Sequence, residues 1–189
     1  MGATDALWWA WSGHGFEHLR LDVGAIGVRA DSVIVAEDEG LLFRARYTLE
    51  CDAAWRLQRA RIELLAEPSR VKELLVDRGR WIDDSAGAAL PFEGCVDIDI
   101  YPSPFTNTLP IRRLADTAVG LPVRITVAWV HLPTLTMHSA PQEYTLLERD
   151  QSGGARWRFR ALDSDFTTEL QVDGQGIVRD YPELARRIL

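Results

Sequence analysis

The residues with the clearest chemical potential lie in one stretch, Asp97-Ile98-Asp99 followed shortly by Pro102-Ser103-Pro104-Phe105-Thr106-Asn107-Thr108-Leu109-Pro110-Ile111-Arg112-Arg113. Two positions apart on an extended strand, Asp97 and Asp99 share one face, where paired carboxylates can do acid–base work or hold a divalent cation. The bland use of such a pair is a solvated face or an ion pair with Arg112 or Arg113. Beyond them the prolines fix the backbone, while Thr106, Asn107 and Thr108 offer compact hydrogen-bonding groups. A rigid polar loop delivering Arg112 and Arg113 suits a hydroxyl-rich or anionic group. The same side chains suit their own loop's backbone equally well, and both readings stand.

Other chemistry fares worse. His14-Gly15-Phe16-Glu17-His18 spells H-x-x-E-H, but zinc ligation by that pattern needs a helix that places both histidines on one side. Gly13 and Gly15 flank His14, and alternating residues follow, so the segment reads as a loop in which Glu17 and His18 begin an outward strand face. No metal site and no cofactor are expected. His131 and His138 stand alone and read as structural or surface residues. There is no G-x-S-x-G, P-loop or G-x-G-x-x-G pattern. Cys51 and Cys95 lack C-x-x-C spacing and read as small buried thiols of a reducing compartment.

The elements that must position these groups are strands. Phe43, Ala45, Tyr47, Leu49 and Cys51 alternate with Arg44, Arg46, Thr48 and Glu50. The same period recurs through 96–101, 123–129, 156–160 and 166–173, as half-buried antiparallel strands require. Further strands are expected near 17–23, 32–37, 55–65, 72–77 and 143–149. Asp38-Glu39-Gly40, Asp77-Arg78-Gly79, Ser152-Gly153-Gly154 and Asp173-Gly174-Gln175-Gly176 supply the turns. Helix is expected only as a short turn over 109–116 and as a C-terminal helix running from Asp180-Tyr181-Pro182 to Leu189. Residues 69–76 fit helix or strand. ELLVDRGRWIDD (73–84) echoes ELQVDGQGIVRD (169–180), which fits a duplicated meander. Nine or ten long strands with little helix to cover them must curl, so the expected fold is mainly β. It is a long curved antiparallel sheet closed into a roll or half-barrel, forming a single domain over 1–189.

Composition agrees. The 189 residues are 47% hydrophobic and 26% charged, an ordinary globular mix, with a formal net charge of −7. A negative field repels phosphate backbones, so a nucleic-acid partner is not expected. No apolar run approaches the length of a membrane helix, and the N-terminal stretch lacks the basic region of a signal peptide. A cytoplasmic protein without membrane insertion is expected. Seven Trp accompany one Lys, Lys72, among 21 basic residues. The arginines of strand faces, including Arg156, Arg158 and Arg160, read as solvated, while the Trp residues suit core, rim or the wall of an amphiphile pocket.

GCVDIDIYPSPFTNTLPIRRL (94–114) resembles the signature stretch of a bacterial family described as putative glycolipid-binding. The resemblance extends to Glu17-His18-Leu19, Arg46-Tyr47, Cys51-Asp52, Trp55, Gly79-Arg80-Trp81 and Val172-Asp173 through Asp180-Tyr181-Pro182. Tyr101-Pro102-Ser103 departs from the family's usual run. The resemblance implies a rolled antiparallel sheet similar to the half-barrels of periplasmic lipoprotein carriers. It also implies a lipid-like or glycolipid small molecule as partner. Its motif positions here are Asp97, Asp99, Thr106, Asn107, Thr108, Arg112, Arg113, Asp180 and Tyr181, taken as ligand-binding with no catalytic role. The resulting expectation is a non-enzymatic binding protein, with an apolar interior for a tail and the Thr-Asn-Thr/Arg-Arg loop for a head group. The alternatives are an enzyme using Asp97 or Asp99 on a small amphiphilic or sugar-like substrate, and an assembly protein using a strand edge and Trp patch.

Overall fold

The computed structural model describes residues 3–189. Working outward from the middle of the sheet, the first meander runs β1 (Thr4–Ala10), β2 (Gly15–Val23), β3 (Gly27–Asp38), β4 (Leu41–Asp52), β5 (Leu57–Leu64), β6 (Arg70–Asp77), β7 (Arg80–Asp83) and β8 (Ala88–Ala89). The chain then crosses to the far edge. It returns through β9 (Cys95–Tyr101), a 3-10 turn (Phe105–Asn107), α1 (Thr108–Arg113), β10 (Pro122–His131), β11 (Thr136–Arg149), β12 (Ala155–Ala161), β13 (Thr167–Val172), β14 (Val178–Tyr181) and β15 (Ala185–Arg187). The strands form one 15-stranded sheet, with β1 and β15 joined at the centre and β8 and β9 at the two edges. The sheet is curved and left open, a mainly-β roll.

Local chemistry explains the register. At the β3–β4 turn Glu39 and Gly40 both adopt positive φ (49° and 82°), and at the β6–β7 turn Arg78 and Gly79 do the same. This is the turn whose twist matches paired strands, and glycine at its second central position removes the Cβ clash. The two echoing segments are both hairpins, β6–β7 and β13–β14. Residues 69–76 are strand, because Arg70–Leu75 pair with β5.

One expectation is corrected. Residues 180–189 form the β14–β15 hairpin, not a helix: Asp180 and Tyr181 pair with Arg186 and Ala185. β15 then supplies β1 with a neighbour along Trp8–Ala10. Helix would leave that central strand edge unpaired, which outweighs the Asp-Tyr-Pro start signal. One pair departs from the otherwise antiparallel sheet. β9 pairs with β10 in parallel, because the connection through α1 carries the chain back along the roll before β10 begins.

The later parts of β9 and β10 are covered on both faces, while Val96, Pro122 and Arg124 stay exposed. Ile98, Ile100, Ala128 and Val130 belong to the core cluster made by the first meander, with Leu19, Ile34, Tyr47 and Ile62. The opposite face of β9, carrying Asp97 and Asp99, turns toward the second meander. There Ile111 joins Tyr144, Leu146, Trp157, Phe159, Leu170 and Tyr181. Leu184 touches both clusters. On the outer face arginines pair across strands, as in Arg46–Asp31, Arg61–Glu73 and Arg156–Glu169, contacts worth roughly 0–1 kcal/mol each.

Candidate functional site

The polar stretch after β9 folds inward. Phe105, Thr106, Asn107, Thr108, Leu109, Pro110 and Ile111 are all buried. Pro110 sits in the first turn of α1, where the missing N–H is not needed. With both faces covered along this part of β9, its carboxylates must find partners within the protein.

Asp97, with no exposed side-chain surface, takes a bidentate ion pair from Arg113. Burial raises its pKa, and the Arg113 guanidinium opposes that rise. Asp99 accepts from Thr106 Oγ1 (2.9 Å) through Oδ1 and from Gln142 Nε2 (2.7 Å) through Oδ2. Burial pushes its carboxyl up as well, against the pull of those two donors. Tyr144 donates to Asn107 Oδ1 at 2.8 Å. Arg112 lies over the Trp55 ring, 5.1 Å from its centroid. Thr108 Oγ1 and Arg112 Nε are buried without partners among the described residues. Asp180 Oδ1 is 3.8 Å from Arg186 Nε.

A cavity of about 560 Å³ opens beside this cluster. Half-buried Asp99 and buried Asn107 and Gln142 form its floor, and Tyr101, Trp129, Phe159, Phe166 and Tyr181 its walls. Exposed Asp163 and Glu183 stand at its rim. Trp129 stacks on His131 (5.6 Å, 10°) and packs against His138 (4.8 Å). His131 Nε2 lies 2.9 Å from Asp38 Oδ2, and Tyr101 donates to Asp38 Oδ1 at 3.2 Å. The tip of the β3–β4 hairpin is thereby tied to β9 and β10.

A smaller cavity of about 160 Å³ lies next to it, sharing Tyr101, Pro102, Glu183 and Leu184. Glu17 lines it and is only 3% exposed. Its Oε1 accepts from Tyr47 (2.5 Å), Ser32 (2.7 Å) and Ser103 (2.9 Å), while Oε2 is buried with no partner among the described residues. Burial raises this carboxyl to about 7, against the opposing pull of the three hydroxyls. The expectation of an outward Glu17 is corrected here. His18 faces out, 3.1 Å from Asp5, and His14, exposed just before β2, lies 3.2 Å from Glu37 of β3. Strand alternation sends the three H-x-x-E-H side chains apart.

Of the sequence-derived positions, Asp99, Asn107 and Tyr181 line the large cavity. Thr106 braces Asp99 from behind. Asp97 and Arg113 neutralise each other, Arg112 is held on Trp55, and Asp180 lies away from the cavity lining. Sequence reasoning missed Glu17, Gln142, Trp129 and His138. It also read His131 and His138 as unaccompanied, whereas both pack on Trp129. One signal was present: His138, Ala140, Gln142 and Tyr144 form a polar-interrupted alternation along β11, opposite Trp129 in register. Cys51 offers no nucleophile, because burial pushes its thiol up to about 12. Among the described residues no cluster of His, Cys, Asp and Glu could hold a metal ion, and no helix is long and apolar enough to cross a membrane.

No curated protein matches the chain. A crystal structure of a DUF1089 family protein from Pseudomonas aeruginosa superposes with a TM-score of 0.82. It is 42% identical, over 93% of this chain and 92% of that one. The family model described as "Putative glycolipid-binding" matches residues 5–187, and the chain belongs to that family.

Proposed function

We propose that the protein is a soluble, non-enzymatic carrier of a lipid-like amphiphile with a polar, hydroxyl-bearing head, a glycolipid in the broad sense. The observation that carries this reading is the 560 Å³ cavity, which combines five aromatic walls with a largely buried polar floor. That combination is the usual anatomy of a small-molecule site. Aromatic faces cover an acyl tail or the apolar face of a sugar ring, and Asp99, Asn107 and Gln142 offer oriented donors and acceptors to hydroxyl groups. The Thr106–Arg113 segment then acts from beneath. Thr106 and the Arg113–Asp97 pair hold the floor in place, and the buried helix keeps water out. Two buried free cysteines suit a reducing, cytoplasmic setting. Native mass spectrometry of the purified protein, with extraction of whatever lipid it carries, tests the reading. A one-to-one amphiphile adduct is expected, and a protein that neither carries nor accepts one would rule the carrier role out.

One observation favours a second reading. Asp99 lines the cavity with its carboxyl pKa raised by burial, the direction that suits a general acid. Asp97 is withdrawn from that role by Arg113. The reading requires turnover of a small glycoside or ester that Asp99→Asn abolishes, and persistent binding without turnover removes it.

A further inference from the structure

The chain carries 21 Lys and Arg side chains, yet among the described residues none lines either cavity. Apart from His138 in the larger and His14 in the smaller, their ionisable residues are acidic: Asp99, Asp163 and Glu183 in the larger, and Glu17, Glu37 and Glu183 in the smaller. Asp163 and Glu183 take part in no ion pair among the described residues, although arginines engage acidic partners over much of the outer face. Glu183 is held at the junction of the two cavities by a left-handed backbone (φ 69°) in the β14–β15 turn. Glu17 adds an independent sign. Three hydroxyls crowd onto one of its oxygens, and the other is buried with no hydrogen-bond partner among the described residues, an unmet polar atom that native interiors rarely tolerate. Trp129 and Tyr101 present aromatic rings to the same space, and ring faces attract cations.

We propose that the cleft formed by the two cavities selects a positively charged amphiphile, one whose head carries an amine or quaternary ammonium group. The head lies where the rings of Tyr101 and Trp129 meet the Glu183 and Asp163 carboxylates, and the tail runs along Phe159 and Tyr181. A phosphate, sulfate or carboxylate head would enter a site with several acidic neighbours and no cationic partner. A neutral sugar head would meet hydrogen-bonding groups but gain nothing from the charges. This inference rests on the carrier reading above and narrows it.

The test uses three amphiphiles with the same twelve-carbon tail, titrated below micelle formation while circular dichroism confirms an intact fold. They are dodecyltrimethylammonium, dodecyl maltoside and dodecyl sulfate. The ammonium compound is expected to bind about tenfold more tightly than the maltoside, and the sulfate not to bind. Because the attraction is electrostatic, added salt should weaken the ammonium compound first. The double variant Asp163→Asn/Glu183→Gln alters exposed side chains only. It is expected to lose about tenfold in ammonium affinity and leave maltoside binding unchanged. Equal binding of ammonium and maltoside, or tighter binding of the sulfate, overturns the charge preference and leaves the carrier reading standing. If none of the three binds, the carrier reading falls and this inference with it.

Discussion

Asp99 and Glu17, carboxyls that line the two cavities beside the Tyr101–Ser103 turn, differ in how fully they are satisfied. Both oxygens of Asp99 accept hydrogen bonds, whereas Glu17 has one crowded oxygen and one without a partner among the described residues. Glu17 therefore carries a pH signature. Its carboxyl rises from 4.5 to about 7 on burial, so the folded protein holds this proton more tightly than the unfolded chain. Stability from this group is complete below about pH 4.5, falls as pH rises toward 7 and levels off above that. Its span is on the order of 3 kcal/mol. Urea unfolding at pH 5 and pH 8 should show Glu17→Gln close to the parent protein at pH 5 and clearly more stable than it at pH 8. An unchanged difference between the two pH values would show that Glu17 is not protonated on folding. The sequence made Asp97 and Asp99 conspicuous through their spacing. Glu17 stayed hidden because polar strand residues read as outward, although its column of Leu19 and Leu21 pointed inward.

At the scale of elements, the segment from β9 to α1 does the positioning. The Asp97–Arg113 pair locks the end of α1 to β9, with Asp97 fully buried and Arg113 18% exposed at its side chain. Arg113→Met leaves an uncompensated buried carboxylate and should cost about 3–5 kcal/mol, and adding Asp97→Leu should restore much of that loss. Thermal melts of the single and double variants check this. A single variant as stable as the parent would mean that the pair does not hold the helix. Gly176 supports the same helix from outside. Its φ is 78°, and a Cβ there would sit 2.8 Å from Arg112 Cδ. Gly176→Ala should therefore cost at least about 1 kcal/mol and displace Arg112 from Trp55, read as a change in Trp fluorescence. Long strands were legible from period-two alternation, and a short helical turn was expected over 109–116, where α1 lies at Thr108–Arg113. The β14–β15 hairpin was not, because strands of four and three residues are too short to show a period. Its helix-start signals are local, while the need of β1 for a partner is not.

For the whole molecule, a sheet of this many strands without covering helices had to roll, and that much followed from length and pattern. Burial of the later parts of β9 and β10 on both faces did not follow, since Asp97 and Asp99 give their strand the look of one face in water. Two core clusters meet at Leu184 and share the segment from Phe105 to Ile111. The account therefore expects one cooperative unit. Calorimetry should give a single transition with matching calorimetric and van't Hoff enthalpies, and two resolved transitions would divide the chain into separately folding meanders. The cavity lies between the two clusters. Ala161 lines it at the end of β12 and is not fully buried, so Ala161→Trp should fill the space without dismantling the core. The decisive measurement is calorimetric titration of the parent protein and this variant with twelve-carbon amphiphiles of cationic and neutral head. The account predicts saturable one-to-one binding to the parent and loss of at least about tenfold in affinity for the variant. Equal binding to both proteins, or to neither, would contradict it.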